Sequence, residues 1–251
     1  MQKKIYNDYH TLSLHAAAEI IDLVANKPEA VLCLASGDTP RLMCKLMIER
    51  AIKEKVDFSH CTIIGLDEWI GIPPENEGSC HYFFQTQVIN PLHLSSAQIH
   101  LFNALSKDPL QECAVMDKTI REKAGIDLMI VGVGMNGHIG FNEPGTSFDY
   151  YSHVTDLDDT TITVGQKYFT QPVPLKKGIT LGLKHLLESK KAILLANGIK
   201  KAAIIKKVLE ENITNQTPAS IIRKHPQGIL LIDEEAASLL KKKPAERPGD
   251  L

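Results

Sequence analysis

Acid–base equipment is concentrated in two short stretches of the chain. Asp67 and Glu68 close an apolar run at 61–66 and precede the only tryptophan, Trp69, and a loop at 71–79. A carboxyl group at the end of a buried strand is costly unless it is solvated, paired or used. Partial desolvation raises its pKa toward the range in which it can take a proton from carbon; a helix-capping or ion-paired acid is the structural alternative. The second stretch is Gly132-Val133-Gly134-Met135-Asn136-Gly137-His138-Ile139-Gly140-Phe141-Asn142-Glu143-Pro144-Gly145, in which His138 sits among glycines with Glu143 five residues on. An acid beside an imidazole orients it and favours its charged form, whereas a lone histidine is more often structural. Formally the stretch contains GxGxxG, but a dinucleotide fingerprint opens a helix, and Gly140, Pro144 and Gly145 prevent a regular helix here.

A third stretch suits an anion. In Ala35-Ser36-Gly37-Asp38-Thr39-Pro40, Gly37 permits close backbone approach, Ser36 and Thr39 offer hydroxyls, and Pro40 fits the first turn of a helix whose free N–H groups attract negative charge. The alternative is plain capping by Asp38 or Thr39, and Asp38 must point away if the cradle is real. Lys200 and Lys201 supply a compensating cation just after another strand, or else form a surface charge pair. Metal chemistry finds no HExxH and no close His or Cys pairing, and no serine or cysteine stands in a nucleophile setting. No catalytic metal is expected.

The elements that must position these residues follow from apolar patterning. Buried strands are expected at 30–35, 61–66, 126–133, 192–196 and 228–232, and helices at 12–25, 40–52, 110–124, 200–210 and 234–243. Alternation of strand and helix implies a mainly parallel sheet with helices on both faces and its chemistry at the strands' C-terminal ends. The loops after Ala35, Leu66 and Val133 are therefore expected to meet, with 71–79 and 146–165 as lid candidates. The 251 residues suit a single α/β domain, 1–251, with a solvated tail at 241–251.

A net charge of -2 leaves no basic field for nucleic acid. Five unpaired cysteines read as buried thiols. No apolar run is long enough for a membrane span, and the first ten residues lack a signal pattern, so a cytoplasmic location is expected. The sequence does not fix the oligomeric state, and a homo-oligomer stays open.

Taken together, LASGDTP at 34–40, LDEWIGIP at 66–73, GVGMNGHIGFNEPG at 132–145 and GITLG at 178–182 resemble, in order and spacing, the glucosamine-6-phosphate deaminase family. The match spans roughly residues 20–235, and HIGFNEPG is its specific part. The resemblance implies a modified Rossmann-like α/β fold shared with 6-phosphogluconolactonases, which typically lack FNEPG. It implies an aldose–ketose isomerase and deaminase, formally a hydrolase, acting on a small-molecule sugar phosphate without a cofactor. Asp67 would move a proton between C2 and C1 of the ring-opened sugar, and Glu68 would assist. His138, oriented by Glu143, would open the pyranose ring. Ser36, Gly37 and Thr39 would hold the phosphate with Lys201, and Lys167 stands where the family usually has arginine.

At the position before Gly137-His138 the family usually has aspartate, and this chain has Asn136. An amide can hold the imidazole by a hydrogen bond but cannot stabilise its cation as a carboxylate would. The same asparagine resembles the galactosamine-6-phosphate isomerase branch. Galactosamine-6-phosphate, giving tagatose-6-phosphate, is on that ground placed slightly ahead of glucosamine-6-phosphate, giving fructose-6-phosphate. The competing functions are a 6-phosphogluconolactonase and a non-catalytic sugar-phosphate sensor.

Overall fold

All five expected strands form and pair side by side. In the computed structural model, which describes residues 1–241, they are β2 (Val31–Leu34), β3 (Thr62–Gly65), β6 (Leu128–Gly132), β9 (Lys191–Ala196) and β10 (Gly228–Asp233). With β1 (Gln2–Tyr6) and β5 (Ile99–His100) they make a seven-stranded sheet in the order β1-β10-β9-β6-β2-β3-β5, parallel at every pairing. The parallel α/β fold is as expected.

The period-two alternation of side chains explains why these strands are continuously apolar. Leu32, Leu34, Ile63, Ile130 and Ile193 enter the core beneath α1 (Tyr9–Asn26) and α2 (Asp38–Glu54). Their neighbours Cys33, Ile64, Val131 and Leu194 enter a second core on the opposite face. Burying each large side chain contributes roughly 1.5–3 kcal/mol. Asp8 starts α1 by accepting a hydrogen bond from the Thr11 amide at 2.7 Å. α3 (Cys80–Phe84) runs through a π-helical turn (Gln85–Ile89) into α4 (Asn90–Leu92), and α5 (Pro109–Glu122) follows.

A second sheet was not expected. β4 (Asp67–Trp69) pairs antiparallel with β8 (Lys177–Thr180), which pairs antiparallel with β7 (His153–Asp156). Leu66 is the pivot: its N–H donates to Leu34 of the large sheet at 3.1 Å, and its carbonyl accepts from Leu181, just beyond β8, at 2.8 Å. The remaining helices are α6 (Asp159–Gly165), α7 (Leu183–Glu188), α8 (Ala202–Glu210) and α9 (Glu234–Ala237). α9 is shorter than the expected 234–243: beyond Ala237 the backbone tightens into i→i−3 bonds, from Ser238 N–H to Glu235 at 3.2 Å and from Leu240 N–H to Ala237 at 2.9 Å. Residues 242 and 243, and the expected solvated tail beyond Lys241, lie outside the described residues. No described helix is long and apolar enough to cross a membrane.

Candidate active site

β2 and β6 are neighbours, yet the chain leaves β2 toward one edge of the sheet and β6 toward the other. This reversal opens a crevice at their C-terminal ends. Four adjacent strand ends deliver the site. β2 leads into Ser36 to Thr39, β3 into Asp67, β6 into Gly132 to Met135 and His138, and β9 into Asn197, Lys200 and Lys201, all lining one cavity of about 680 Å³. The expected meeting of the three loops occurs, although the segment after Leu66 is strand β4 and not a loop.

That strand separates the two acids. Successive side chains of a strand face opposite ways, so Asp67 and Trp69 face the cavity while Glu68 points away from it. Burial, and secondarily the Glu68 charge, pushes the Asp67 carboxyl up to about 7. The Cys80 thiol lies 3.8 Å from Asp67 Oδ1. Glu68 is buried with its oxygens occupied by three backbone amides: Oε1 accepts from Trp69 and Cys80 at 2.9 Å each, and Oε2 from His81 at 2.7 Å. Glu68 therefore does not reach into the cavity as expected: its carboxylate ties the start of α3 to β4, and it bears on Asp67 only through its charge. Glu68→Ala leaves buried N–H groups without an acceptor and should destabilise the fold by about 3 kcal/mol, measured by urea denaturation.

His138 is gripped on one side only. Its Nδ1 lies 2.9 Å from Thr161 Oγ1 and 3.2 Å from Glu143 Oε2, and no described residue bonds Nε2. Gly134 underlies the ring so closely that a Cβ there would come within 2.3 Å of Nε2. Burial works to raise the Glu143 carboxyl, but hydrogen bonds from His138 and Asn136 outweigh it and hold the group below the usual range. Asn136 lies outside the cavity lining and does not touch the imidazole, contrary to expectation. Its Oδ1 accepts from the His138 backbone amide at 3.2 Å, a local turn contact, and its Nδ2 donates to Glu143 Oε2 at 2.9 Å. An amide in this place donates to Glu143, where a carboxylate would repel it. Thr161, on α6, went unnoticed in the sequence because a threonine inside a helix carries no signal of its own.

The anion cradle is a bare helix start. Gly37, at φ +102°, stands at the N-cap immediately before α2, and no side chain caps that end, so capping by Asp38 or Thr39 is excluded. The Asp38 side chain is largely exposed and pairs with Lys167 Nζ at 2.6 Å. Thr39 Oγ1 donates to Asn197 Oδ1 at 3.0 Å. Lys201 Nζ donates to the Val133 carbonyl at 2.7 Å, and burial, followed by repulsion from Lys167, depresses it to about 8. Lys167 thus lines the cavity at its rim, engaged with Asp38.

Of the two lid candidates, the first supplies Glu77, Gly78 and Ser79 to the wall. The second contains β7 and α6, and α6 lines the cavity. Arg41, stacked over Phe83 at 5.3 Å, is a further lining cation that the sequence did not single out. Among the described residues no group of three or more His, Cys, Asp or Glu is placed to hold a metal ion.

Residues 8–231 match the model of the glucosamine-6-phosphate isomerases/6-phosphogluconolactonase family. A glucosamine-6-phosphate deaminase of Thermoanaerobacter pseudethanolicus is 38% identical over 93% of this chain and 92% of its own length. One from Clostridium perfringens is 37% identical over 96% and 100%. The fold superposes on a monomeric glucosamine-6-phosphate deaminase with a TM-score of 0.92 at 34% identity, covering 95% of this chain and all of that one. The 6-phosphogluconolactonase of Trypanosoma brucei, at 15% identity and a TM-score of 0.78, shares the fold. By sequence and by fold the chain belongs to the glucosamine-6-phosphate isomerase/6-phosphogluconolactonase family.

Proposed function

We propose that this chain deaminates and isomerises glucosamine-6-phosphate to fructose-6-phosphate and ammonia, as one catalytic domain and without a cofactor. The observation that carries the reading is a desolvated carboxyl, Asp67, held near a pKa of 7 in the same cavity as a histidine fixed at Nδ1 and an uncapped helix start beside Lys201. His138 Nε2 takes the proton from the anomeric hydroxyl and returns it to the ring oxygen, giving the open aldehyde. The carbonyl acidifies the adjacent C–H, Asp67 removes the proton from C2 and delivers it to C1 while the substrate nitrogen gives up a proton and the C1 oxygen takes one up, and the resulting imine is hydrolysed by water to the ketone with release of ammonia. The phosphate on Ser36, Gly37, Thr39 and Lys201 supplies positioning energy remote from the reacting carbons.

The named relatives at 37–38% identity favour the gluco epimer, ahead of the order that Asn136 alone suggested. Galactosamine-6-phosphate, giving tagatose-6-phosphate, is the second reading. Asn136 no longer carries that choice, since it lies outside the cavity lining.

The test is ammonia release from the two amino-sugar phosphates in parallel, without added metal or nucleotide, with hydrolysis of 6-phosphogluconolactone as the contrasting activity. The sign of the pH dependence is set by two groups. Asp67 acts as a base only when ionised, so kcat/KM should rise with pH through about 7. Lys201 loses its charge through about 8, so kcat/KM should fall above that. A narrow bell between these limits is expected, and a rate flat from pH 5 to 10 would exclude this assignment. Lactone hydrolysis without ammonia would replace the deaminase reading.

A further inference from the structure

Resting on the deaminase reading, we propose that Thr161 is a positioning residue for ring opening, its hydroxyl holding His138 Nδ1 alongside the Glu143 carboxylate. Two oxygens compete for the single hydrogen on Nδ1, and the nearer is Thr161 Oγ1 at 2.9 Å, against 3.2 Å for Glu143 Oε2. Glu143 Oε2 is already engaged by Asn136 Nδ2 at 2.9 Å. The Thr161 side chain is buried, and His138 Nδ1 is the one hydrogen-bond partner of its hydroxyl among the described contacts. With Nδ1 facing both the Thr161 oxygen and the Glu143 carboxylate, its hydrogen is held there, which fixes the tautomer in which Nε2 is unprotonated and free to take the anomeric proton.

The local architecture is built for this contact. The Asp158 amide, at the start of α6, reaches Glu143 Oε1 at 3.4 Å, so the first turn of the helix holds the carboxylate and the imidazole together. At its far end Gly165 lies against the Trp69 ring, where a Cβ would come within 2.7 Å, and Lys167 then reaches Asp38 beside the cradle. α6 therefore spans from the acid–base pair to the phosphate cradle, and Thr161 is the one residue of α6 bonded to the imidazole among the described contacts.

The test compares Thr161→Val, which keeps the shape and loses the hydroxyl, with Thr161→Ser, which keeps the hydroxyl. Thr161→Val should lower kcat for glucosamine-6-phosphate by about 10²-fold with KM changed less than about twofold, and Thr161→Ser should recover most of the loss. In ¹⁵N NMR of the substrate-free protein, His138 should be protonated at Nδ1 in the wild type and Thr161→Ser, and a mixture of tautomers in Thr161→Val. An imidazole spectrum unchanged in Thr161→Val would overturn the proposal whether or not the wild type releases ammonia. So would a loss confined to KM. Absence of ammonia release by the wild type, with the spectrum changing as stated, would overturn the deaminase reading alone.

Discussion

Asp67→Asn is expected to abolish turnover while sparing substrate binding and raising stability. A positioned general base contributes about 10²–10⁴-fold, and here one carboxylate handles the proton twice, at C2 and at C1, so a loss of at least about 10³ in kcat is expected. The carboxamide is nearly isosteric, so the Kd for glucosamine-6-phosphate should change by less than about threefold. The stability gain follows from the raised pKa. Between the ordinary aspartate value near 4 and about 7, the folded protein keeps a proton that the unfolded chain has lost. The penalty of the buried charge therefore grows with pH through that window, is complete above about 7, and vanishes below about 4. Asp67→Asn carries no such charge, so at pH 8 it should be more stable than the wild type by up to about 4 kcal/mol. At pH 3.5 the difference should disappear. Denaturant melts at the two pH values check this; equal stabilities at pH 8 would mean that the carboxylate is solvated and unsuited to abstract a carbon-bound proton.

Lys201→Ala should act on affinity. A charge-assisted contact to a phosphate is worth about 1.5–3 kcal/mol, so KM for glucosamine-6-phosphate should rise about 10- to 100-fold. Some loss of kcat is also expected, because remote binding energy helps to align the reacting carbons. The side chain also bonds the Val133 carbonyl at 2.7 Å, so misplacement of the 132–138 turn must be separated from the lost charge. Inorganic phosphate as a competitive inhibitor provides that separation. In the wild type its affinity should fall as pH rises through about 8, where Lys201 discharges, whereas in Lys201→Ala it should be weak and flat across that range. Unchanged inhibition by phosphate would remove Lys201 from the cradle.

The large parallel sheet was legible because buried strands leave unbroken apolar runs, and its loop chemistry was legible because glycines, acids and a histidine stood directly after them. What escaped detection has physical causes. β1 is an edge strand of Gln2, Lys3 and Lys4 whose side chains are exposed, so backbone pairing to β10 holds it and no apolar pattern marks it. The second sheet is made of three- and four-residue strands, too short for alternation to register. Missing β4 is what misassigned Glu68. Once residues 67–69 are known to be a strand, alternation alone turns Glu68 away from Asp67. Asn136 was read through the residue that usually occupies its place, whereas its amide serves Glu143 and a backbone turn. Thr161 lies 23 residues from His138, and only the tertiary fold brings them together.

Trp69 has a practical consequence. It is the only tryptophan in the chain, two residues from Asp67, with its indole against Phe141 at 4.5 Å and Phe169 at 6.2 Å. Light absorbed beyond the tyrosine band is therefore emitted from a single place, the wall of the cavity between β4 and α6. The chain carries its own optical probe of occupancy, and affinities of catalytically silent variants such as Asp67→Asn can be read by emission titration without a label or a turnover assay. The same chromophore also reports unfolding, so a melt followed by emission monitors the small sheet first, and circular dichroism is needed to report on the large one.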